Sequence, residues 1–285
     1  MITPRPLIYP KPLRLPKVKL MTMIAAFRCM DGIVLCADSQ ESWGECYKVT
    51  VSKIAGEWVN DFRLGYGGAG LSDLVDALFD KITDSMHRWN AETIIKRELE
   101  EVLIRFHKRQ VSPYPAPSED KTVRAITFCF RRNQQEKESL FYLSGTTVHG
   151  IDRFKLVGFE IPFYKQLVEE ICRPSLSISE AILIGAYVFS VAKATCHHIS
   201  GPTRIIVVRN RKVYSLEETK VKEFEERIDS FRIGLNMVML SCSDLSMPDQ
   251  ALTEHIRAFE KMAIGLRQEY RELTNLLPPL DSGLA

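Results

Sequence analysis

The sequence lacks any pair of cysteines separated by two residues, the spacing typical of a zinc site or a redox motif. Its seven cysteines are scattered along the chain, and most lie inside apolar runs such as Val34-Leu35-Cys36-Ala37. Cysteines in such runs are typical of small buried apolar residues in a reducing compartment. We therefore expect a cytoplasmic protein without a zinc site.

The chain also lacks a strong charge of either sign and a long apolar run. Its net charge of +2 at pH 7 gives no electrostatic reason to expect nucleic acid or an anionic membrane as partner. The most apolar stretch, AILIGAYVFSVA from Ala181, has the length of a buried helix and not of a membrane span. With 45% hydrophobic and 26% charged residues, the composition is that of a soluble globular protein.

The first 21 residues differ in composition from the rest of the chain. They hold five prolines, five basic residues and no acidic residue. They also lack the continuous apolar centre of a secretory signal. Because repeated prolines are incompatible with a helix, we predict that residues 1–21 are disordered, removed or never translated.

Short apolar runs and stretches of helical periodicity follow from Met23. The runs 23–29 and 33–38 flank Met30-Asp31-Gly32, and an Asp-Gly step between apolar runs indicates a hairpin. Further strands are predicted at 49–54, 62–68, 125–130, 139–144, 154–159, 203–208 and 212–214, and helices at 71–82, 94–106, 162–172 and 178–198. Blocks of strands and helices without strict βαβ alternation predict an α+β domain over residues 22–215, with two packed sheets and helices outside.

Residues 216–285 are predicted to form a helical extension. From Leu252 to Leu277 the apolar residues are spaced alternately four and three apart. This heptad seam ends at Pro278-Pro279, with Ser246 and Pro248 as start signals. The seam is typical of a helix packed on its own domain; the alternative is a helix pair between two subunits.

The segment TMIAAFRCMDGIVLCADSQ, from Thr22 to Gln40, resembles the opening of the proteasome β-subunits and of the bacterial peptidase HslV. Those chains begin with a threonine, an apolar strand, a turn and a second strand that ends on an Ala-Asp-like step. The match continues through Lys53-Ile54, one residue short of the family's spacing, and Gly67-Gly68-Ala69, and covers about residues 22–210. It implies the four-layer αββα sandwich of the N-terminal-nucleophile hydrolases, with the helical segment appended at the C-terminus.

Thr22 is the candidate nucleophile, because an N-terminal threonine carries both a hydroxyl and a free amine that can serve as its base. An α-amine has an unperturbed pKa of about 8, so a good fraction is neutral at physiological pH. Lys53 would add a positive charge that keeps the amine neutral and stabilises a developing alkoxide. The resemblance implies that Asp38 holds Lys53 in place, that the backbone N–H of Gly68 binds the oxyanion and that Ser200 supports the amine. It implies no metal or organic cofactor.

Two positions depart from the family pattern. The family carries Ser-Gly where this chain has Phe159-Glu160, and an aspartate where it has His197, three residues before Ser200. Neutral His197 could still accept or donate one hydrogen bond near the Thr22 amine. The alternative is an ordinary histidine at the C-terminal end of a helix.

The resemblance predicts a threonine-type endopeptidase that acts on polypeptides as one subunit of a homo-oligomeric ring. An ATP-dependent unfoldase is implied as a partner by analogy alone. Two alternatives stay open. One is a catalytically inactive structural or regulatory subunit, which the two departures favour; the other is an amidohydrolase of the same class that acts on a small molecule.

Overall fold

The computed structural model of the chain describes most of the sequence from Thr22 onward. The described residues are 22–43, 47–50, 52–114, 122–132, 138–158, 161–275 and 277. The predicted leader, residues 1–21, and the Phe159-Glu160 step lie outside them. Strands and helices are numbered in chain order.

Five antiparallel strands form the first sheet. They are β1 (Met23–Cys29), β2 (Gly32–Ala37), β10 (Phe154–Gly158), β11 (Arg204–Arg209) and β12 (Lys212–Ser215), in the spatial order β10-β1-β2-β11-β12. The predicted N-terminal hairpin is confirmed, because β1 and β2 pair from Ile24–Ala37 to Cys29–Gly32. Glycine is required at residue 32, where φ is +150° and a Cβ would lie 2.0 Å from the carbonyl oxygen of Val208.

A second antiparallel sheet contains the middle of the chain. Its strands, in spatial as well as chain order, are β5 (Ile54–Val59), β6 (Phe62–Ala69), β7 (Arg124–Arg131), β8 (Ser139–Ser144) and β9 (Thr147–Gly150). A separate hairpin joins β3 (Gln40–Trp43) to β4 (Tyr47–Thr50). The prediction of one strand over 49–54 is wrong: Thr50 pairs with Gln40 in the hairpin, whereas Ile54 pairs with Gly67 in the second sheet. Lys53 lies between the two strands.

Six α-helices lie in the described residues. They are α1 (Ser72–Met86), α2 (Ile95–Phe106), α3 (Ile161–Ile171), α4 (Ile178–Thr195), α5 (Glu218–Ser243) and α6 (Asp249–Asn275), with a π-helical turn at His107–Val111 after α2. The predicted start of α4 is confirmed by a capping box, in which Ser177 Oγ accepts from the Glu180 N–H at 3.2 Å. That helix ends at Thr195 and not at residue 198, because Cys196 adopts an extended conformation. The helix α5 lies within the predicted helical extension over 216–285, but the sequence analysis gave no helix bounds for its residues.

The helices α5 and α6 form an antiparallel helical hairpin. The rings of Phe231 and Phe259 lie 4.9 Å apart, and Ser241 Oγ lies 2.6 Å from His255 Nδ1 nearer the connecting loop. At the other end, Tyr270 and Leu273 of the heptad seam pack against the core beside the first sheet. The C-terminal part of the seam therefore packs on its own chain. The remainder of the hairpin carries exposed apolar side chains on both helices, among them the seam residue Ile256: Ile233, Leu235, Met237, Met239, Leu240, Ile256, Met262 and Ile264.

Buried apolar side chains fall into three clusters. Alternate residues of β1 point to opposite faces of the first sheet: Met23 and Phe27 pack with α3, α4 and α5, whereas Ile24 packs with Phe128 of the second sheet. A third cluster joins the other face of the second sheet to α1 and α2. Over the described residues the result is a mixed α+β fold with two five-stranded antiparallel sheets, the separate β3–β4 hairpin and six α-helices. Strands covered on both faces explain the continuous apolar runs of the sequence.

The helix α4 is apolar around its whole circumference. Its 18 residues have a mean hydropathy of 1.4, which is enough to cross a membrane by length and composition alone, but 61% of them are buried inside the protein. Ile182, Val188 and Phe189 pack in the cluster beside the first sheet. These contacts are those of a core helix.

Candidate active site

Asp38 lies at the end of β2, fully buried, and its two carboxylate oxygens have different partners. Oδ1 accepts a hydrogen bond of 2.9 Å from the backbone N–H of Met23, and Oδ2 accepts one of 2.7 Å from Lys53 Nζ. The Lys53 side chain is only 7% exposed. The β1–β2 pairing dictates this placement, because the N–H of Asp38 in turn donates to the carbonyl oxygen of Met23 at 3.2 Å. A buried ion pair therefore lies one residue from Thr22.

The electrostatics of Asp38 reflect opposing effects. Burial raises the pKa of Asp38 above its ordinary value, while the Lys53 ammonium and the N–H groups of Met23 and Gln40 oppose the rise by stabilising the charged form. Lys53 comes from the segment before the second sheet, whereas Asp38 comes from the first. The ion pair therefore links the two sheets.

Thr22 is half-buried and leads directly into β1. Its carbonyl group lies against Gly158, the last residue of β10, where φ is +129° and a Cβ would lie 1.7 Å from the Thr22 oxygen. Any side chain at residue 158 would push the start of β1 away, so glycine there fixes the position of Thr22. The family's Ser-Gly position, Phe159-Glu160 in this chain, follows directly but lies outside the described residues.

The predicted oxyanion residue, Gly68, lies on β6 just before α1. A Cβ at Gly68 would lie 2.2 Å from Val75 Cγ1 of that helix, so the glycine allows strand and helix to pack closely. Its neighbour Gly67 pairs with Ile54 and has the carbonyl oxygen of Lys53 3.2 Å from its own Cβ position. The glycine pair therefore lies beside Lys53, and the oxyanion role of Gly68 stays a prediction.

Ser200 and His197 lie in the segment between α4 and β11 and differ in their surroundings. Ser200 is half-buried, and the two residues after it pack against Ser39: Gly201, with φ +75°, has its Cβ position 2.6 Å from Ser39 Oγ. That hydroxyl donates a 2.8 Å hydrogen bond to the carbonyl oxygen of Pro202. The segment is thus packed against the residue that follows Asp38. His197 is exposed in a turn, and its role near Thr22 also stays a prediction.

Three residues of this region were missed from the sequence. Met23 contributes a backbone N–H, Gly158 makes room for Thr22, and Ser39 binds the Ser200 segment. Of these three residues, only Ser39 could have been identified from the sequence, because it is a small polar residue directly after Asp38 in the matched motif. Among the described residues, no group of three His, Cys, Asp or Glu side chains could hold a metal ion.

The sheets, the helices and the segment that begins at Thr22 together make a proteasome-like fold. Solved structures similar to it include Anbu proteins. The Anbu (Gly-1) mutant from Hyphomicrobium sp. strain MC1 is 14% identical, with a TM-score of 0.64 over 76% of this chain and 96% of that one. Anbu, the ancestral β-subunit, from Yersinia bercovieri is 13% identical, with a TM-score of 0.60 over 80% and 98%. The helical assembly of the Anbu complex from Pseudomonas aeruginosa is 13% identical, with a TM-score of 0.55 over 93% of this chain and 100% of that one.

No protein-family model matches the chain, and no curated protein matches it either. At such low identity the structural likeness shows the fold alone. The resemblance to proteasome β-subunits and HslV is nevertheless wrong as to the family, because the similar structures are Anbu proteins, a proteasome-like group related to HslV but distinct from it. The motif from Thr22 to Gly68 specifies a hairpin, an ion pair and a strand-to-helix turn, and those features do not distinguish one proteasome-like family from another.

Proposed function

We propose that the chain is a proteasome-like subunit that hydrolyses peptide bonds with Thr22 as its N-terminal residue. The observation that carries the proposal is the fully buried Asp38, which joins the N–H of Met23 to the ammonium of Lys53. Burying two charges is costly unless they are paired, and well-packed apolar residues would stabilise a core at least as well. A buried pair one residue from a threonine is therefore better accounted for by chemistry than by stability.

The proposed fold is the four-layer αββα sandwich of the N-terminal-nucleophile hydrolases. The three apolar clusters support this arrangement, since each one joins two successive layers: helices to the first sheet, the first sheet to the second, and the second sheet to α1 and α2. In such a sandwich Thr22 lies at the beginning of an interior strand, because β1 has β2 on one side and β10 on the other.

In the proposed chemistry, each residue predicted for the site has a defined role. The neutral α-amine accepts the proton of the Thr22 hydroxyl while the oxygen attacks the carbonyl carbon of the substrate. Lys53, held by Asp38, disfavours a second positive charge on the amine and stabilises the alkoxide. The N–H of Gly68 binds the oxyanion. The amine then passes its proton to the leaving amine, and water hydrolyses the resulting ester to release the acid and restore Thr22.

A second candidate is an inactive structural subunit of the same fold. The exposed position of His197 favours it, because no carboxylate stands at that position to support the Thr22 amine. The two candidates differ in whether Thr22 reacts.

The experiment uses protein expressed with a single methionine before Thr22, which aminopeptidases remove readily ahead of a small residue. Intact mass establishes the N-terminus, and an electrophilic peptide inhibitor is then added. We expect one adduct, mapped to Thr22, together with hydrolysis of fluorogenic peptides. Thr22→Ala should abolish both, and Thr22→Ser, which keeps a hydroxyl, should retain part of each. If Thr22 is not labelled, or if Thr22→Ala hydrolyses the peptides as fast as wild type, catalysis by Thr22 is refuted and the inactive structural subunit is the better candidate.

We also propose that several copies assemble. One Anbu structure is described as a helical assembly, and the loop end of the α5–α6 hairpin exposes Leu240 at 70% and Met239 at 63%. Apolar side chains clustered on one end of a helical hairpin are typical of a contact surface between proteins. If this surface binds a different surface of the next copy, the contact is head-to-tail. Repeated head-to-tail contacts close into a ring, as predicted from the sequence, or continue as an open helix.

A further inference from the structure

A buried carboxylate, Glu225, connects the helix α5 to the segment that carries Ser200. Glu225 is 6% exposed. Its oxygens accept hydrogen bonds of 2.9 Å and 2.7 Å from Lys193 Nζ on α4, and Oε1 also accepts one of 2.5 Å from Thr203 Oγ1. Thr203 is fully buried. The carboxylate of one residue on α5 therefore binds both α4 and the chain just before β11.

Thr203 is the residue through which this cluster reaches the candidate active site. It follows Pro202, whose carbonyl oxygen accepts the hydrogen bond from Ser39, and Ser39 follows Asp38. The segment 200–203 is thus held from two sides: Ser39 binds it on the side of Asp38, and Glu225 binds it on the side of α5. A shift of Thr203 would move Ser200 and Pro202 with it.

A role for Glu225 in joining α4 to α5 does not explain why it also accepts a hydrogen bond from Thr203. Lys193 alone would join α4 to α5 through Glu225, and Ser190 already joins the same helices by donating to Asp229 at 2.5 Å. Burial raises the pKa of Glu225, with Lys193 and Thr203 opposing the rise, so a carboxylate is costly to bury at this position. Polar networks of this kind fix one geometry when all their members are satisfied.

We propose that Glu225 is a positioning residue, which holds Thr203 and thereby sets the Ser200–Pro202 segment against Ser39 beside Asp38. This inference rests on the proposed function of Thr22 for its catalytic consequence, but not for the mechanical link. It makes α5, which lies within the predicted helical extension, part of what shapes the site.

The test compares three variants of the full chain. Thr203→Val removes the hydroxyl at nearly constant volume, Thr203→Ser keeps it, and Ser190→Ala is the matched control, since it removes another buried hydroxyl that binds a carboxylate on α5. Two readouts are taken: amide hydrogen exchange of peptides covering residues 38–40 and 199–203, and the rate constant for labelling of Thr22 by the electrophilic inhibitor. The N–H of Gln40 is informative because it binds Asp38.

We expect Thr203→Val to speed exchange in both peptides by about tenfold, the effect of losing one hydrogen bond to a charged group, and to slow labelling. Thr203→Ser and Ser190→Ala should stay within about twofold of wild type in these peptides. Equal exchange in Thr203→Val and wild type, or an equal rise in Ser190→Ala, would overturn the link. Should Thr203→Val fail to fold, Thr203→Ala, which also removes the hydroxyl, replaces it with the same expected directions. If wild type is not labelled at all, the proposed function fails, and the exchange readout still decides the link.

Discussion

Replacing Asp38 by asparagine is expected to destabilise the protein strongly, although the two side chains have nearly the same shape. Asparagine keeps an oxygen for the Met23 N–H but turns an amide donor toward Lys53 Nζ, which lies 2.7 Å from Asp38 Oδ2. At an effective dielectric constant of about 20, two charges at this distance attract by about 6 kcal/mol, part of which offsets desolvation. Because the side chains are 7% and 0% exposed, we expect a loss of about 3–5 kcal/mol in the free energy of unfolding.

The assay is urea denaturation at neutral pH of Asp38→Asn, Lys53→Met and the double variant. The double variant should recover much of the loss, because it leaves no unpaired charge, and the cycle should give a coupling energy above about 1.5 kcal/mol. The control is the surface pair Lys165–Glu169, at 3.3 Å with side chains 57% and 51% exposed. Glu169→Gln should change stability by less than about 0.5 kcal/mol. A coupling energy near zero for Asp38 and Lys53 would refute the buried ion pair.

The remaining predictions concern pH and assembly. Because the pKa of Asp38 is raised, falling pH should protonate it and release Lys53 above the ordinary aspartate range of about 4. The rate of Thr22 labelling should therefore show a further fall there, below the fall caused by protonation of the α-amine; an acid limb unchanged in Asp38→Asn would contradict this. Leu240→Glu should reduce a particle several times the 32.6 kDa chain to smaller species in light scattering, whereas Ile94→Glu, an exposed apolar control directly before α2, should not. A wild-type monomer at micromolar concentration would exclude assembly.

Local patterns in the sequence predicted the N-terminal part of the site. The β1–β2 hairpin follows from two apolar runs around Asp31-Gly32, and it places Asp38 beside Met23 without help from the rest of the chain. Lys53 was identified as a candidate but assigned to a strand that does not exist, because the chain changes sheets between Thr50 and Ile54. Sequence pattern alone does not indicate such a change.

Contacts between distant parts of the chain could not be predicted. The helical extension over 216–285 was predicted, but the bounds of α5 were not, because exposed apolar residues such as Ile233 and Met237 obscure its periodicity after Phe231. Without those bounds, the bond between Thr203 and Glu225 could not be inferred. The family was assigned wrongly for a related reason: the motifs near Thr22 describe local chemistry, and the similarity to Anbu proteins appears only when the whole fold is compared.

The division of the site between two sheets has a consequence for the order in which the chain folds. Residues 54–150 contain every described strand of the second sheet together with α1 and α2, so the strand pairings of this half all lie within one continuous stretch of the chain. The almost fully buried β1 must instead wait for β10, and β2 for β11, which leave the ribosome much later. Asp38 and Lys53 meet only when both sheets have docked. A nascent or half-folded copy therefore presents a threonine without its buried charges, and the proposed hydrolase stays silent until synthesis and folding are complete.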